Sequence, residues 1–467
     1  MTISSIGVPN VISKIIAENL GDKEKTEYIM KNALTVFSII GIIGSMILVY
    51  FSGLISNKIL NIPEAQMSIV ALSPAIFNVC IISVLRGYYN GTEHVEVTAK
   101  SQTIEQILKT IFTFILVEIA YIVTTSDTAK MAAWANMATT IATLGSLIYL
   151  YKKLKLNKSN KIVSLRSMLG ICKMSIPISM SAILASLNRN IDSITIVKYL
   201  KKFVGEGMAK KQYGILSGKV DVISAVPVSF VIAIATTIIP IVANNKKDID
   251  YVRRITFKYL KCIGIIIIPC CFSIFVCSGE ILTFLFGNDN GKILLQINAI
   301  SLLFIAAEQI MNAILHGIGK IYIPAISLLI GVGFKAILNT IFLNLNPNEY
   351  WYAGITGCCI ATLICHFVAF AIVFVVALRN LKIKLKIFKF LLKPIIASCI
   401  IALTLRYSYF FLSGIIMDKI AIILAGLIAV VIYAVLIFFL KIVKGNEIFS
   451  KRIQNKTKKQ GKKKDFV

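Results

Sequence analysis

Long apolar runs, separated by short polar segments, recur along the whole chain. Twelve of them reach the roughly 20 residues that a helix needs to cross a hydrocarbon core of about 30 Å. They are 34–55, 67–86, 101–123, 130–151, 170–196, 214–243, 255–281, 293–316, 322–345, 353–379, 391–411 and 418–441. A shorter apolar segment at 6–20 precedes them and lies too near Met1 to be a complete span. Unpaired backbone groups cannot face lipid, so runs of this length must be helices. A β-barrel would show short segments of alternating polarity instead. The pattern therefore predicts an all-α, polytopic membrane protein with twelve full spans plus a partial first one.

Composition agrees: 57% of the 467 residues are hydrophobic and 15% are charged, with a mean hydropathy of +0.81. The formal net charge of +28 would suggest nucleic acid in a soluble chain. Here its distribution argues otherwise. With residues 21–33 placed in the cytoplasm and the sides alternating, 35 of the 50 Lys and Arg fall in cytoplasmic segments and 10 in outer ones. The positive-inside rule then puts the C-terminus in the cytoplasm, and no nucleic-acid partner is expected. The outer segment 197–213 runs against the bias, with Lys198, Lys201, Lys202, Lys210 and Lys211. It is expected as a loop, either simply solvated or forming a basic rim for an anionic cargo or headgroup. The basic tail 442–467 is expected to lie near anionic membrane lipids.

A shift of 230 residues aligns two segments. Leu85 and Gly87 meet Leu315 and Gly317, and Ile107, Leu108, Thr110, Ile111 and Phe112 meet Ile337, Leu338, Thr340, Ile341 and Phe342. Each segment follows a span ending in Leu-Arg-Gly or Leu-His-Gly and continues in the same direction. The repeat is therefore parallel, and two similar halves around a central cavity are a transporter architecture. The expected organisation is an N-terminal lobe at 1–151, a basic cytoplasmic loop at 152–169, a C-terminal lobe at 170–380, two further helices at 381–441, and the tail.

Ionisable side chains inside spans are costly and usually face a partner or a wet cavity. Gln102, Glu105, Gln106 and Lys109 fall at i, i+3, i+4 and i+7, on one helix face. Glu105 can pair with Lys109 along the helix. In the second half Lys335 and Asn339 take the aligned positions, so Glu105 faces Lys335 across the repeat. That pair is expected either to lock the lobes or to gate transport and touch cargo. Arg189 and Asp192, then Lys219 and Asp221, flank the basic segment. Arginine suits a phosphate through its planar fork, but a mixed cluster can also satisfy itself. Glu308, beside Gln309, can carry a proton or make a structural hydrogen bond. Lys14 and Glu18 form a snorkelling pair. His366 is a lone histidine in an apolar span, and His316 aligns with Arg86. Pro74, Pro177, Pro227, Pro240, Pro269 and Pro324 lie within spans, where each removes a backbone bond and can kink its helix; the kinks either permit hinge motion or are purely structural. The ten cysteines are scattered through apolar segments without CxxC or matching His spacing, so neither a metal site nor a cofactor is expected. No nucleophile–base constellation suggests an enzyme.

Residues 7–19 (GVPNVISKIIAEN), 85–91 (LRGYYNG), 101–112 (SQTIEQILKTIF), 213–227 (YGILSGKVDVISAVP) and 315–340 together resemble the stage V sporulation protein B family. That family is grouped with MurJ-type lipid II flippases in the multidrug/oligosaccharidyl-lipid/polysaccharide exporter superfamily. The resemblance implies two pseudo-symmetric lobes around a central cavity, alternating access, and export of an undecaprenyl-linked, diphosphate-bearing glycan by a monomer. It makes Arg189, Lys219 and Lys335 the nearest candidates to meet the diphosphate, with Asp192 and Asn339 beside them. Glu105, Lys109 and Glu308 become candidates for gating or ion coupling. The family has fourteen helices, and the resemblance implies that this chain begins within the second. Two other functions remain open: a cation-coupled multidrug antiporter of the same superfamily, and a non-transporting scaffold in cell-wall or spore assembly.

Overall fold

A computed structural model describes residues 8–17, 19, 21–92, 94–124, 127–154, 165–382 and 388–439; within those helices the side chains of 10, 14, 23, 165–183, 185, 236, 240, 244 and 388–391 are outside the description. The expected Lys14–Glu18 pair, Cys172, most of the 152–169 segment and the tail thus fall outside the described residues. Among the described residues the chain is helical, without strands.

Contacts divide the chain into two compact units, Met1–Lys202 and Phe203–Val467. The first holds α1 (Val8–Ala17), α2 (Lys23–Tyr50), the short α3 (Ser52–Leu54), α4 (Ala65–Gly91), α5 (Val95–Val123), α6 (Thr128–Lys153) and α7 (Leu165–Val204). The second holds α8 (Glu206–Ile215), α9 (Asp221–Asn244), α10 (Ile249–Val276), α11 (Ser278–Phe286), α12 (Lys292–Gly317), α13 (Tyr322–Asn344), α14 (Ile355–Leu381), α15 (Phe388–Ser413) and α16 (Asp418–Phe439). Among the described residues eleven helices are long and apolar enough to cross a membrane, and α7 carries the remaining expected span, 170–196.

Polar residues start these helices where the apolar runs begin. Asp22 accepts from the Lys25 amide at 3.0 Å, Asp127 from the Ala129 amide at 3.0 Å, and Asp248 from the Tyr251 amide at 2.9 Å. Each satisfies a donor that the first helical turn leaves open. Hydrogen bonds from the Lys130 and Ala129 amides, with the nearby Lys130 charge, hold the Asp127 carboxyl below its ordinary value.

The expected repeat is present in the packing. In the first unit α1 and α2 pack on α4, α4 packs on α6, and α6 on α5. In the second α9 and α10 pack on α12, α12 on α14, and α14 on α13. The seams also match residue by residue. A Cβ at Gly87 would lie 2.8 Å from Ile12 Cβ and 3.0 Å from the Pro9 carbonyl; at Gly317 it would lie 2.6 Å from Val242 Cβ and 3.2 Å from the Ile239 carbonyl. Positions 9, 12 and 87 plus 230 are 239, 242 and 317. Glycine is needed at both places because only a hydrogen fits where the helices touch. The same register makes α1 the counterpart of the second half of α9, the opening helix of its repeat, rather than part of a second helix.

Three expectations change. The segment 197–213 is not a loop: α7 runs to Val204 and α8 begins at Glu206, with Gly205 turning the chain at φ 81°. Hydropathy alone ends a span at the first lysines, but lysine is a good helix former. The helix continues through Lys198 and Lys202, whose ammonium groups lie 5.4 and 5.7 Å from the Tyr199 ring. Second, α4 continues to Gly91, which places Arg86 inside a helix. Third, Pro74 is braced: Thr140 Oγ1 donates to the Ala71 carbonyl at 2.7 Å and Ser45 Oγ to the Ser73 carbonyl at 2.8 Å. The last two helices join the second unit through α10 and α11. Arg406 on α15 pairs with Glu280 on α11, and the Tyr433 hydroxyl on α16 donates to the Ile265 carbonyl of α10.

Candidate functional site

In the first unit the polar side chains converge on Arg86. Its Nε donates to Ser101 Oγ at 3.0 Å, and its Nη2 to Glu105 Oε2 at 2.7 Å and to Ser146 Oγ at 3.2 Å. Ser146 Oγ in turn donates to the Ser101 carbonyl at 3.1 Å. One guanidinium thus ties α4, α5 and α6 together with charge-assisted bonds. Arg86 of the same unit replaces Lys109 and Lys335 as the expected partner of Glu105. Arg86 and Glu105 keep side-chain exposures of 14% and 21%, so the pair is neither fully desolvated nor open. Lys109, Gln102 and Gln106 are exposed on α5, and among the described residues Lys109 makes no ion pair. Sequence reading missed Arg86 because arginine at the end of an apolar run was taken for loop; the paired Leu-Arg-Gly and Leu-His-Gly motifs were the available signal.

The second unit does not repeat this network. At the aligned positions stand His316, Gly331 and Lys335 for Arg86, Ser101 and Glu105. The missing serine lets α13 and α14 close: a Cβ at Gly331 would lie 2.6 Å from the Cys365 carbonyl. Lys335 and Asn339 are fully buried on the same α13 face as Gly331 and Val332. Lys335 lies 13 residues into its helix, about 20 Å along the axis at 1.5 Å per residue.

Glu308 and the histidine read as isolated form a pair. Glu308 Oε2 lies 2.8 Å from His366 Nδ1, joining α12 to α14, and Asn312 Nδ2 reaches Glu308 Oε1 at 3.4 Å. The Glu308 side chain is 2% exposed and that of His366 14%. The edge of Phe304 meets the face of Phe367 beside them at 5.2 Å. The two residues are 58 positions apart, so no local spacing could have joined them.

The basic residues near the α7–α9 region divide between the units. Arg189 is exposed and Asp192 half-buried on α7, in the first unit. In the second, Lys219 sits in a π-helical turn, Leu216–Val220, a distortion that is frequent at functional sites. Its Nζ donates to Asn288 Oδ1 at 2.6 Å and lies 5.2 Å from the Phe286 ring centroid. Asp221 Oδ1 accepts from Asn298 Nδ2 at 3.4 Å.

Comparison with known proteins places this architecture. A family model described as polysaccharide biosynthesis protein matches residues 1–246. Stage V sporulation protein B of Bacillus subtilis is 24% identical over 353 residues, covering 72% of this chain and 67% of that protein. Lipid II flippase MurJ of the same organism is 24% identical over 375 residues, covering 74% and 69%. Among solved structures, lipid II flippase MurJ in an inward closed conformation has a TM-score of 0.68 at 15% identity, over 97% of this chain and 90% of that one. An inward-facing multidrug resistance MATE family transporter has a TM-score of 0.61 at 15% identity, over 82% and 87%. These are likenesses to transporters and flippases, not to enzymes, and the fold is like that of the MurJ and MATE structures. With more than half of its residues matched, this multi-pass membrane chain belongs to the polysaccharide biosynthesis protein family.

Proposed function

We propose that the chain is a flippase that moves an undecaprenyl-linked, diphosphate-bearing glycan, such as lipid II or a polysaccharide intermediate, across the cytoplasmic membrane. The observation that carries this is the repeated seam, Gly87 of α4 against α1 and Gly317 of α12 against α9, in a member of a polysaccharide family. Two lobes built alike and running in the same direction suit access that alternates between the two faces of the membrane by rocking. The stripe of Gln102, Gln106 and Lys109 fits such a route, because exposed amides and an ammonium on a spanning helix need water or polar cargo beside them. Arg189, Asp192, Lys219, Lys335 and Asn339 serve the cargo, and Glu105 and Lys109 the gate. The cytoplasmic C-terminus follows from the charge bias, and the basic tail rests on anionic lipid. The protein acts as a monomer.

Translocation of labelled lipid II by proteoliposomes, with Lys335→Ala and Arg189→Ala beside the wild type, tests this. Losing a charged hydrogen bond worth about 1.5–3 kcal/mol predicts roughly 10- to 100-fold slower flipping. Unchanged rates in both variants would remove those residues, and no flipping by the wild type would remove the cargo. The likeness to a MATE transporter over 82% of the chain favours a second reading, a cation-coupled multidrug antiporter. Gradient-dependent efflux of a cationic dye without lipid II flipping would select it.

A further inference from the structure

The helix pair that carries Glu308 and His366 has a counterpart in the first unit, and the two differ in one informative way. Position 308 aligns with position 78 at the shift of 230. Asn78 stands there on α4 and donates to Thr143 Oγ1 at 3.2 Å and to the Thr140 carbonyl at 3.4 Å, both on α6. Thus α4 and α6 are joined by an uncharged amide and a hydroxyl where α12 and α14 are joined by a carboxyl and an imidazole. The seam can be closed without ionisable groups. Placing two of them there is costly: desolvating an ion costs several kcal/mol, and pairing only partly returns it. Lying nine residues from the Gly317 end of α12, Glu308 is about 13 Å along the axis, well inside a core of about 30 Å.

We infer that Glu308 and His366 together form a binding site for a single exchangeable proton within the second unit. With one proton the pair is electrically neutral overall, whether written as carboxylate and imidazolium or as carboxylic acid and imidazole. Without it the pair carries a negative charge, and with a second proton a positive one. A buried site favours the neutral form, so the proton stays while the pair is closed off and exchanges when a face opens. His366, the more exposed partner, is the side from which water reaches it. The reaction is a plain transfer: the pair accepts a proton from water on one side and returns it to water on the other, with no redox change. Asn312 holds the remaining carboxyl oxygen in either state.

The elements packed against α12 bring other titratable groups. They include Asp221 on α9 and Lys219 in the turn before it, Asp250, Arg253, Arg254, Lys258, Lys261, Cys262, Cys270 and Cys271 on α10, Glu280 on α11, Lys335 on α13, Cys358, Cys359, Cys365 and Arg379 on α14, and Lys292 and His316 on α12 itself. Among the described residues Glu308 is bonded only to Asn312 and His366. Asp221 is held by Asn298 and Glu280 by Arg406. The α9 side turns apolar Val231, Ala235 and Ile238 toward the α12 core.

The test borrows the chemistry of the first unit. Glu308→Asn with His366→Thr places at the α12–α14 seam the uncharged residue types that join α4 and α6, and a melting curve checks that the double variant folds. Proton exchange is then measured on purified full-length protein in unbuffered detergent solution as the pH is stepped between alkaline and acid. Wild type should exchange about one proton more than the double variant. Equal exchange overturns the inference and leaves a structural ion pair. A second readout depends on the proposed function: flipping of lipid II in vesicles under an imposed pH gradient. Wild type should flip faster under the gradient than without it, and the double variant should flip at the same rate with and without it. A response that survives also overturns the inference. Wild-type vesicles that flip nothing strike the cargo assignment alone, and the proton count still decides this site.

Discussion

Gly317→Ala is the sharpest test of the architecture. The new Cβ would sit 2.6 Å from Val242 Cβ and 2.7 Å from its Cγ1, against the 3.4 Å at which ordinary contact begins. Restoring that distance moves α9 and α12 apart locally by about 0.8 Å, the difference of the two values. Their seam is the centre of the largest buried apolar cluster of the second unit, where Ile238 and Val242 meet Ile310 and Ile314. Overpacking of this kind costs about 1–3 kcal/mol. At roughly 2–4 °C per kcal/mol for a unit of this size, the melting temperature should fall by about 5 °C. The assay is a detergent thermal melt followed by intrinsic fluorescence. Gly426→Ala is the control: its Cβ would meet nothing within 4 Å, and α16 should gain up to about 1 kcal/mol from the better helix former. Opposite shifts are expected. A Gly317→Ala melt equal to or above wild type would refute the claim that glycine is required by close approach.

Gly87→Ala should loosen α1 from α4 by a slightly smaller overlap, its Cβ lying 2.8 Å from Ile12 Cβ, read as faster hydrogen exchange in residues 8–17 with little change in α5. Arg86→Met should destabilise the first unit by about 2 kcal/mol, below the 3–5 of a fully buried pair because both side chains keep some water contact. Adding Glu105→Gln should recover part of that loss in a double-mutant cycle, and strictly additive losses would deny the pairing. For Asp127, a carboxyl held low in the folded chain stabilises it above the unfolded carboxyl's value, and the contribution fades as pH falls through the lowered folded value. Asp127→Asn should therefore lower the neutral side of the melting profile slightly and converge with wild type at the acid end, so that its acid slope is flatter.

The spans were legible because apolar runs of about 20 residues have one solution in lipid, and no helix packing is needed to see them. The repeat was legible at Gly87 and Gly317, where backbone contact admits one residue type. What lay hidden were partners. Arg86 meets Glu105 and Ser146 across 19 and 60 positions, and Glu308 meets His366 across 58. Such pairs depend on which helix packs on which, which periodicity along one helix does not encode. The lysines of α7 and α8 misled in the opposite sense, since hydropathy marks where a helix leaves the membrane and not where it ends.

Pro74 was expected to let α4 flex. A proline frees carbonyls one turn back, and these would otherwise be the soft point of the helix. Here the hydroxyls of Thr140 on α6 and Ser45 on α2 hold the neighbouring carbonyls. Each such bond contributes about 1 kcal/mol, and both must break for the bend angle to change. Pro74 is thus a clamped position: the carbonyls beside it are tied to two other helices. A force applied to α4 there is shared with α2 and α6.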